Sequence, residues 1–274
     1  MTSETAAANT LRIISFVPSW TESLIEAGET VVGRTRFCIH PGHLVSEIAV
    51  VGGTKTLDLD KIRALKPDLV ILDREENTLE MHKALERIEG LELHITHVQD
   101  VNDLAVEFER LAKRLSNAKL SEWAKRMRAA LSAKAPKLHN DSFAGLLKWT
   151  TVAKLETKIV YVIWKSPWMA VGEKTFIASM LKQAGLTMTL WPLARGKYPE
   201  FTLEELPTGV TVLLSSEPYP FESLVSPAAP TKAPFDFARP TALIDGECFS
   251  WFGIRALRFL ELAKGLKLSP PPKP

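Results

Sequence analysis

Aromatic side chains, several beside prolines or cations, mark most of the places where this sequence is expected to leave a β-strand. They are Trp20; Arg36 and Phe37; Trp164 and Trp168; Trp191, Arg195 and Tyr198; Tyr219 and Phe221; and Phe249, Trp251 and Arg255. Each ring presents about 150–250 Å² of largely apolar surface. A neighbouring proline limits the freedom of the backbone that carries it. Any one of these rings is as readily explained by core packing. As a set on strand exits they suit a large, flat, partly apolar ligand.

Two further constellations carry other chemistry. His40-x-x-His43 and His94-x-x-His97, with Cys38 nearby, have the spacing of metal ligands. A zinc site needs three or four N, S or O donors converging on one point. On an expected strand, however, His94 and His97 point to opposite faces. Imidazole also suits the axial position on a chelated iron or cobalt. The run Asp73, Glu75 and Glu76 offers carboxylates for acid–base work, although such runs commonly begin solvated helices. No GxGxxG, P-loop, GxSxG or HExxH pattern occurs, so common nucleotide and hydrolase mechanisms lack support.

The elements that must hold these residues follow a βαβ rhythm. Residues 11–17 read as a strand, and a helix follows to about Ala27 with Gly28 as its stop. Ser19 and Glu22 have capping-box spacing at the start of that helix. The stretch from Val31 to Asp73 then organises the first half of the chain. It gives a short strand, an irregular segment through Pro41, a Gly52-Gly53-Thr54 turn, and a helix capped by Asp58 and stopped by Pro67. Its last part, Asp68 to Leu72, reads as a buried strand. The next helix is expected to turn Leu79, Met81, His82, Leu85 and Ile88 inward, and residues 93–98 close the set of strands.

From Val101 the pattern is helical. Leu104, Phe108, Leu111 and Leu115 form one apolar stripe, and after a soft break at Ser116-Asn117 a second carries Leu120, Trp123, Met127 and Leu131. A helix of about 16–20 residues spans about 24–30 Å and makes a stiff bridge. The second half repeats the plan, with strands at 158–164, 187–190, 210–215 and 241–245, a helix near 175–183 and a closing helix over 252–266. Ile254, Leu257, Leu260 and Leu262 are expected to face inward on that last helix.

The 274 residues suffice for two α/β lobes. A composition of 46% apolar and 24% charged residues is that of a globular protein. A net charge of +2 gives no support for a nucleic-acid partner. Two distant cysteines fit a reducing compartment. The first apolar run is interrupted by Arg12 and Ser15 and is a poor match to a secretory signal. The chain as written is therefore expected to be cytoplasmic, or periplasmic if its start lies upstream or a leader was removed.

The residues Gly33-Arg34-Thr35-Arg36-Phe37-Cys38, Pro41, Val51-Gly52-Gly53-Thr54, Leu59-Asp60-Lys61-Ile62 and Leu65-Lys66-Pro67-Asp68-Leu69-Val70-Ile71 carry a family resemblance. With residues 159–172 and 245–255, they make the chain similar to the substrate-binding proteins of vitamin B12 and iron-siderophore ABC transporters, the class III helical-backbone metal-chelate receptors. That resemblance implies two Rossmann-like lobes with parallel sheets, joined by a long backbone helix. It also implies non-catalytic binding of a metal chelate in the inter-lobe cleft. A corrinoid is foremost, and haem or a ferric siderophore next. Carried over by position, the ligand-binding residues are Ser19, Trp20, Phe37, Gly53, Trp164, Trp168, Phe249 and Trp251. Glu80 and Glu204 would dock an ABC permease if the protein is exported. No intrinsic cofactor or protein-bound metal is expected, and the protein should be a monomer not embedded in a membrane. Its organisation would be a disordered start over 1–10, a first lobe over 11–117, and backbone helix with an irregular insertion over 118–157. A second lobe over 158–268 and a disordered tail over 269–274 would complete it. The alternatives are an enzyme using the Asp73, Glu75 and Glu76 loop, or direct metal binding through His and Cys.

Overall fold

The computed structural model describes residues 10–134, 147–150, 158–188, 196–224 and 239–266. The expected tails, most of the 136–157 insertion, Trp191 and Arg195 lie outside the described residues. Contacts divide the chain into one unit of Met1–Val98 with Val106–Trp123, and a second of Gln99–Ala105 with Ala124–Pro274.

The first unit begins with β1 (Ile13–Ser15), α1 (Pro18–Ala27), β2 (Val31–Arg34), α2 (Gly42–Val45) and β3 (Ala49–Val50). A hairpin of β4 (Gly52–Gly53) and β5 (Thr56–Leu57), then α3 (Leu59–Leu65), β6 (Leu69–Asp73), α4 (Leu79–Leu85) and β7 (Glu92–Thr96) follow. The sheet order is β3-β2-β1-β6-β7, parallel throughout. β6 is the apolar run Leu-Val-Ile-Leu ending in Asp73, buried at every position and hydrogen-bonded on both edges. Parallel strands covered on both faces favour such continuous β-branched and aliphatic runs.

Local sequence explains the helix ends. Asp58 Oδ1 accepts the amide of Lys61 at 3.2 Å and caps α3. Gly28 closes α1 in the left-handed region at φ 90°, which a residue with a Cβ rarely adopts. The capping box expected at Ser19 does not form. Val17 is the N-cap, and Pro18 takes the first helical position, where its missing N–H costs nothing. The turn into α1 is held instead by Ser15 Oγ, which accepts the Val17 amide at 3.3 Å. Leu79 is also not inward. As the first residue of α4 it remains 60% exposed, while Met81 and Leu85 fill the core.

Two helices, α5 (Val101–Leu115) and α6 (Ala118–Ser132), link the halves of the sequence. They are separate because Ser116 is left-handed at φ 51° and Asn117 Oδ1 accepts the Leu120 amide at 3.0 Å, starting a new helix. The Asn117 amide group also donates to Ala27 O at 3.1 Å and Glu29 Oε1 at 2.6 Å, fixing the break against the end of α1. On α5, Leu104, Phe108 and Leu111 are fully buried, as the stripe predicts.

The second unit contains β8 (Leu147–Thr150), β9 (Lys158–Trp164), β10 (Trp168–Ala170), α7 (Phe176–Gln183) and β11 (Thr187–Met188). It continues through β12 (Glu200–Phe201), β13 (Thr211–Ser215), β14 (Thr241–Ile244), α8 (Glu247–Ser250) and α9 (Ile254–Ala263). Its sheet order is β12-β10-β9-β13-β14-β8, with β11 paired to β9. β9, β11, β13 and β14 are mutually parallel in their pairs, whereas β10 and β8 run antiparallel to β9 and β14. Leu262, expected inward on α9, is 53% exposed, while Leu257, Phe259 and Leu260 are buried. The α6 end in this unit is pinned by a bidentate Arg126–Glu261 pair at 2.8 and 2.7 Å. Lys264 Nζ adds bonds to the carbonyls of Ala130 and Ala133 at 2.6 and 3.0 Å.

Candidate functional site

Parallel strands leave a sheet on the same side, so each sheet gathers its strand exits along one edge, where ligands of open α/β sheets bind. In the first unit that edge collects Phe16 to Trp20 after β1, Thr35 to Phe37 after β2, the β4–β5 hairpin, and Arg74 to Asn77 after β6. These segments are tied into one scaffold. Asn77 Nδ2 donates to Phe16 O at 3.2 Å and Thr54 O at 2.9 Å, while Asn77 Oδ1 accepts the Asp73 amide at 2.8 Å. The Arg36 amide donates to Gly52 O at 3.0 Å, and Lys55 Nζ reaches Glu75 O at 3.0 Å.

On this scaffold Phe37 is 46% exposed, with the Arg36 guanidinium 4.8 Å from its ring centroid. Gly53 lies against this pair. A Cβ there would stand 3.2 Å from Thr56 Oγ1, 3.4 Å from the Phe37 ring and 3.6 Å from Arg36 Cζ. Phe37 and Gly53 are thus brought together. Ser19 and Trp20 are not part of that surface. Ser19 is buried, and Trp20 is fully buried at 0% exposure, edge-on to Phe108 at 5.7 Å. A pocket of about 450 Å³ also lies in this unit, lined by Leu72, Arg74, Leu79, His82 and Ile95 among others. None of the eight expected ligand residues lines it.

In the second unit, the shared edge gathers Trp164 at the end of β9, Ser216 to Tyr219 after β13, and Asp245 to Trp251 after β14. Because β10 runs back against β9, its first residue, Trp168, returns to the same edge. Trp164 is 39% exposed and packs edge-on against Tyr219 at 5.4 Å. Tyr219 meets Phe221 at 4.6 Å, and Trp168 stacks on Phe221 at 6.2 Å with 2° between planes. Phe221 and Phe201 are core residues, so this file of rings runs from the core to a half-exposed indole. Lys165 Nζ sits 5.8 Å from the Trp168 centroid. Phe249 is fully buried against Tyr161 and Phe259. Trp251 is half-buried, with Arg255 over its ring at 5.5 Å.

One residue at this edge escaped the sequence reading. Glu217 accepts the Trp251 indole N–H at 3.1 Å on one carboxylate oxygen and the Ser250 hydroxyl on the other. Burial pushes its carboxyl above the ordinary range, against the lowering effect of those two bonds. A half-buried indole N–H needs an acceptor, but only the structure shows which residue supplies it. Glu217 stands two residues after β13, beside Trp251 at the exit of the neighbouring strand.

Asp73, His94 and Cys38 of the other constellations are engaged structurally. Asp73 accepts from the amides of Glu75 and Glu76 at 2.8 and 3.4 Å and from the Thr96 hydroxyl at 2.7 Å. His94 Nε2 lies 2.5 Å from Glu107, which also pairs with Arg110 at 2.8 Å. The Cys38 thiol is buried between the hydroxyls of Thr21 and Thr35 at 3.1 and 3.2 Å, and burial raises it above its usual value. Among the described residues no group of three or more His, Cys, Asp or Glu could hold a metal ion. Among them, too, no helix is long and apolar enough to cross a membrane. Glu80 is exposed in the first turn of α4, and Glu204 is exposed in a short 3-10 turn at Leu203–Glu205.

No protein-family model and no curated protein sequence matches this chain. Solved structures do. The periplasmic vitamin B12-binding protein BtuF of Vibrio cholerae is 16% identical, covers 93% of this chain and 95% of its own, and superposes with a TM-score of 0.64. The periplasmic heme-binding protein RhuT from Roseiflexus sp. RS-1 is 17% identical over 93% and 97% of the two chains, with a TM-score of 0.66. The periplasmic heme-binding protein HutB of Vibrio cholerae is 16% identical over 94% and 98%, also at 0.66. With its two α/β units, strand exits gathered on one edge of each sheet, and these neighbours across nearly the whole chain, the protein has the class III periplasmic-binding-protein fold.

Proposed function

We propose that the protein binds a metal chelate without catalysis, with a corrinoid as the foremost ligand and haem or a ferric siderophore next. The observation that carries this is the half-exposed Trp164, backed edge-on by Tyr219 and then by the Phe221–Trp168 stack. A rigid indole with aromatic support offers a flat ligand apolar area at little entropy cost. Phe37 beside Gly53 supplies a ring of the same kind in the first unit, and Trp251 a third. The residues proposed to touch ligand are Trp164, Trp168 and Trp251 on the second unit, with Phe249 in its core, and Phe37 and Gly53 on the first, with Ser19 and Trp20 in its core. Neighbours that bind vitamin B12 and heme support the same ligand class.

The carrying role that goes with this chemistry is a substrate-binding component of an ABC transporter, or a cytoplasmic derivative of one. Glu80 and Glu204, one on each unit, are the residues proposed to meet a permease. The site needs no cofactor or metal of its own, because the metal arrives inside the ligand. The test is a tryptophan-quenching titration with cyanocobalamin, cobinamide and haemin on the wild type and on Trp164→Ala. Saturable quenching by one of them, weakened about tenfold or more in the variant, is expected, a loss of about 1.4 kcal/mol. Equal affinity in both proteins would remove Trp164 from the site.

A further inference from the structure

We infer that Glu217 is the positioning residue that fixes the Trp251 indole as a ligand-facing platform. This rests on the chelate-binding function proposed for the second unit. Trp251 follows the four-residue helix α8 and has already left helical geometry, at φ −86° and ψ 106°. Its backbone alone therefore leaves the ring free to choose among rotamers. Three side-chain contacts narrow that choice. The indole N–H donates to Glu217 Oε2 at 3.1 Å. The Arg255 guanidinium lies over the ring at 5.5 Å and is itself held by Glu247 at 3.0 Å. Ser250, the residue before Trp251, donates its hydroxyl to Glu217 Oε1. One carboxylate thus holds two consecutive residues, and only a carboxylate offers two acceptor oxygens in that forked geometry.

The surroundings are built to admit that carboxylate. Gly246, at the exit of β14, lies so close that a Cβ would stand 2.2 Å from Ser215 Oγ and 2.9 Å from Glu217 Cγ. The Gly246 amide donates to Ser216 Oγ at 3.0 Å, locking the β13 and β14 exits together beside Glu217. Burying a carboxylate here works against stability, and an aliphatic side chain of similar size would avoid that cost. What the aliphatic chain would lack is the bond to the Trp251 N–H. The contribution of Glu217 is therefore geometric: it sets where the ring stands at the sheet edge.

The test compares Glu217→Gln, Glu217→Leu and Trp251→Phe in the full chain. Affinity for cyanocobalamin and haemin is measured together with solvent exchange of the indole N–H signals by NMR. The chain has seven tryptophans, and the Trp251 signal is assigned by its loss in Trp251→Phe. Glu217→Gln can still accept from the indole through its carbonyl oxygen while donating to Ser250. It is expected to keep slow exchange and an affinity within about twofold of wild type. Glu217→Leu is expected to speed Trp251 N–H exchange and to weaken the bound chelate about tenfold, the scale of one lost hydrogen bond to a charged group. Adding Glu217→Leu to Trp251→Phe should cost no further affinity, because the partner is already gone. If Glu217→Leu does not fold, Trp251→Phe decides: unchanged affinity there overturns the inference. Unchanged exchange or unchanged affinity in folded Glu217→Leu also overturns it, with chelate binding intact. If neither chelate binds wild type, the chelate proposal fails and the inference falls with it.

Discussion

The indole N–H of Trp20 donates to Thr96 Oγ1 at 3.1 Å, and the Thr96 hydroxyl in turn donates to Asp73 at 2.7 Å. The bond joins the start of α1 to the end of β7, so Trp20 ties the β1 exit to β7 within the first unit. Trp20→Ala removes a fully buried ring and its contact with Phe108. The expected cost is about 3–5 kcal/mol of stability. Urea unfolding checks this, and chelate affinity of the remaining folded protein should stay within about threefold of wild type.

Trp164 and Trp168 should separate in the opposite sense. Trp164 is half-exposed, whereas Trp168 packs on the core cluster of the second unit through Phe221 and Phe201. Trp164→Ala is expected to weaken chelate binding while lowering stability by under about 1 kcal/mol, as surface substitutions do. Trp168→Ala should lower both, with a stability loss of about 2–4 kcal/mol. Paired melting curves and quenching titrations read the difference. A stability loss in Trp164→Ala as large as in Trp168→Ala would make Trp164 a packing residue.

Much of this architecture was legible from local chemistry. Asp58 capped its helix, Gly28 ended another, and the Leu69–Asp73 run became the central buried strand, because each signal acts within a few residues. Gathering aromatic exits on one edge of each sheet followed from parallel pairing, except for Trp168, which returns on the antiparallel β10. The direction in which each ring points did not follow. Trp20 is the third residue of α1 and Phe249 the third of the four in α8, where a small change of phase turns a side chain from rim to core, and tertiary packing decides that phase. Pro18 displaced Ser19 from the cap for a reason equally visible in the sequence, since proline competes for the first helical position. Glu217 was hidden because a lone acidic residue before proline reads as a solvated turn. Its value lies in Trp251, which follows it by 34 residues.

Glu217 should also leave a signature in the pH dependence of stability. Its folded-state pKa is raised, chiefly by burial. The folded state therefore holds that proton to higher pH than the unfolded chain does. Its stabilising contribution is complete below the unfolded carboxylate value of about 4.3 and is lost as pH rises through the folded value. Glu217→Gln cannot lose that proton. Between pH values of about 4 and 8 the stability of wild type relative to Glu217→Gln should fall, because only wild type is penalised at high pH. Denaturant midpoints of both proteins across that range measure it, and a constant difference would contradict the assignment.

Both thiols should be sluggish in the native protein. Burial first, and then the Asp245 carboxylate, push Cys248 up to about 12, while burial raises Cys38. Reaction requires the thiolate, and an unperturbed thiol with a pKa of about 8.5 has a substantial thiolate fraction near pH 8. Ellman's reagent at that pH should react with the native chain at least about tenfold more slowly than with free cysteine. Both thiols should react promptly once unfolded. Prompt modification of Cys248 in the native state would show a more open β14 exit than described.

Chelate binding itself is read most directly from the visible spectrum of the ligand. Purified protein titrated into cyanocobalamin, cobinamide, haemin and a ferric siderophore should shift the absorption of at least one of them. The shift should saturate at one chelate per chain and be weakened by Trp164→Ala and Trp251→Ala. Spectra that remain the simple sum of protein and chelate, for every member of that panel up to high micromolar concentration, would contradict it.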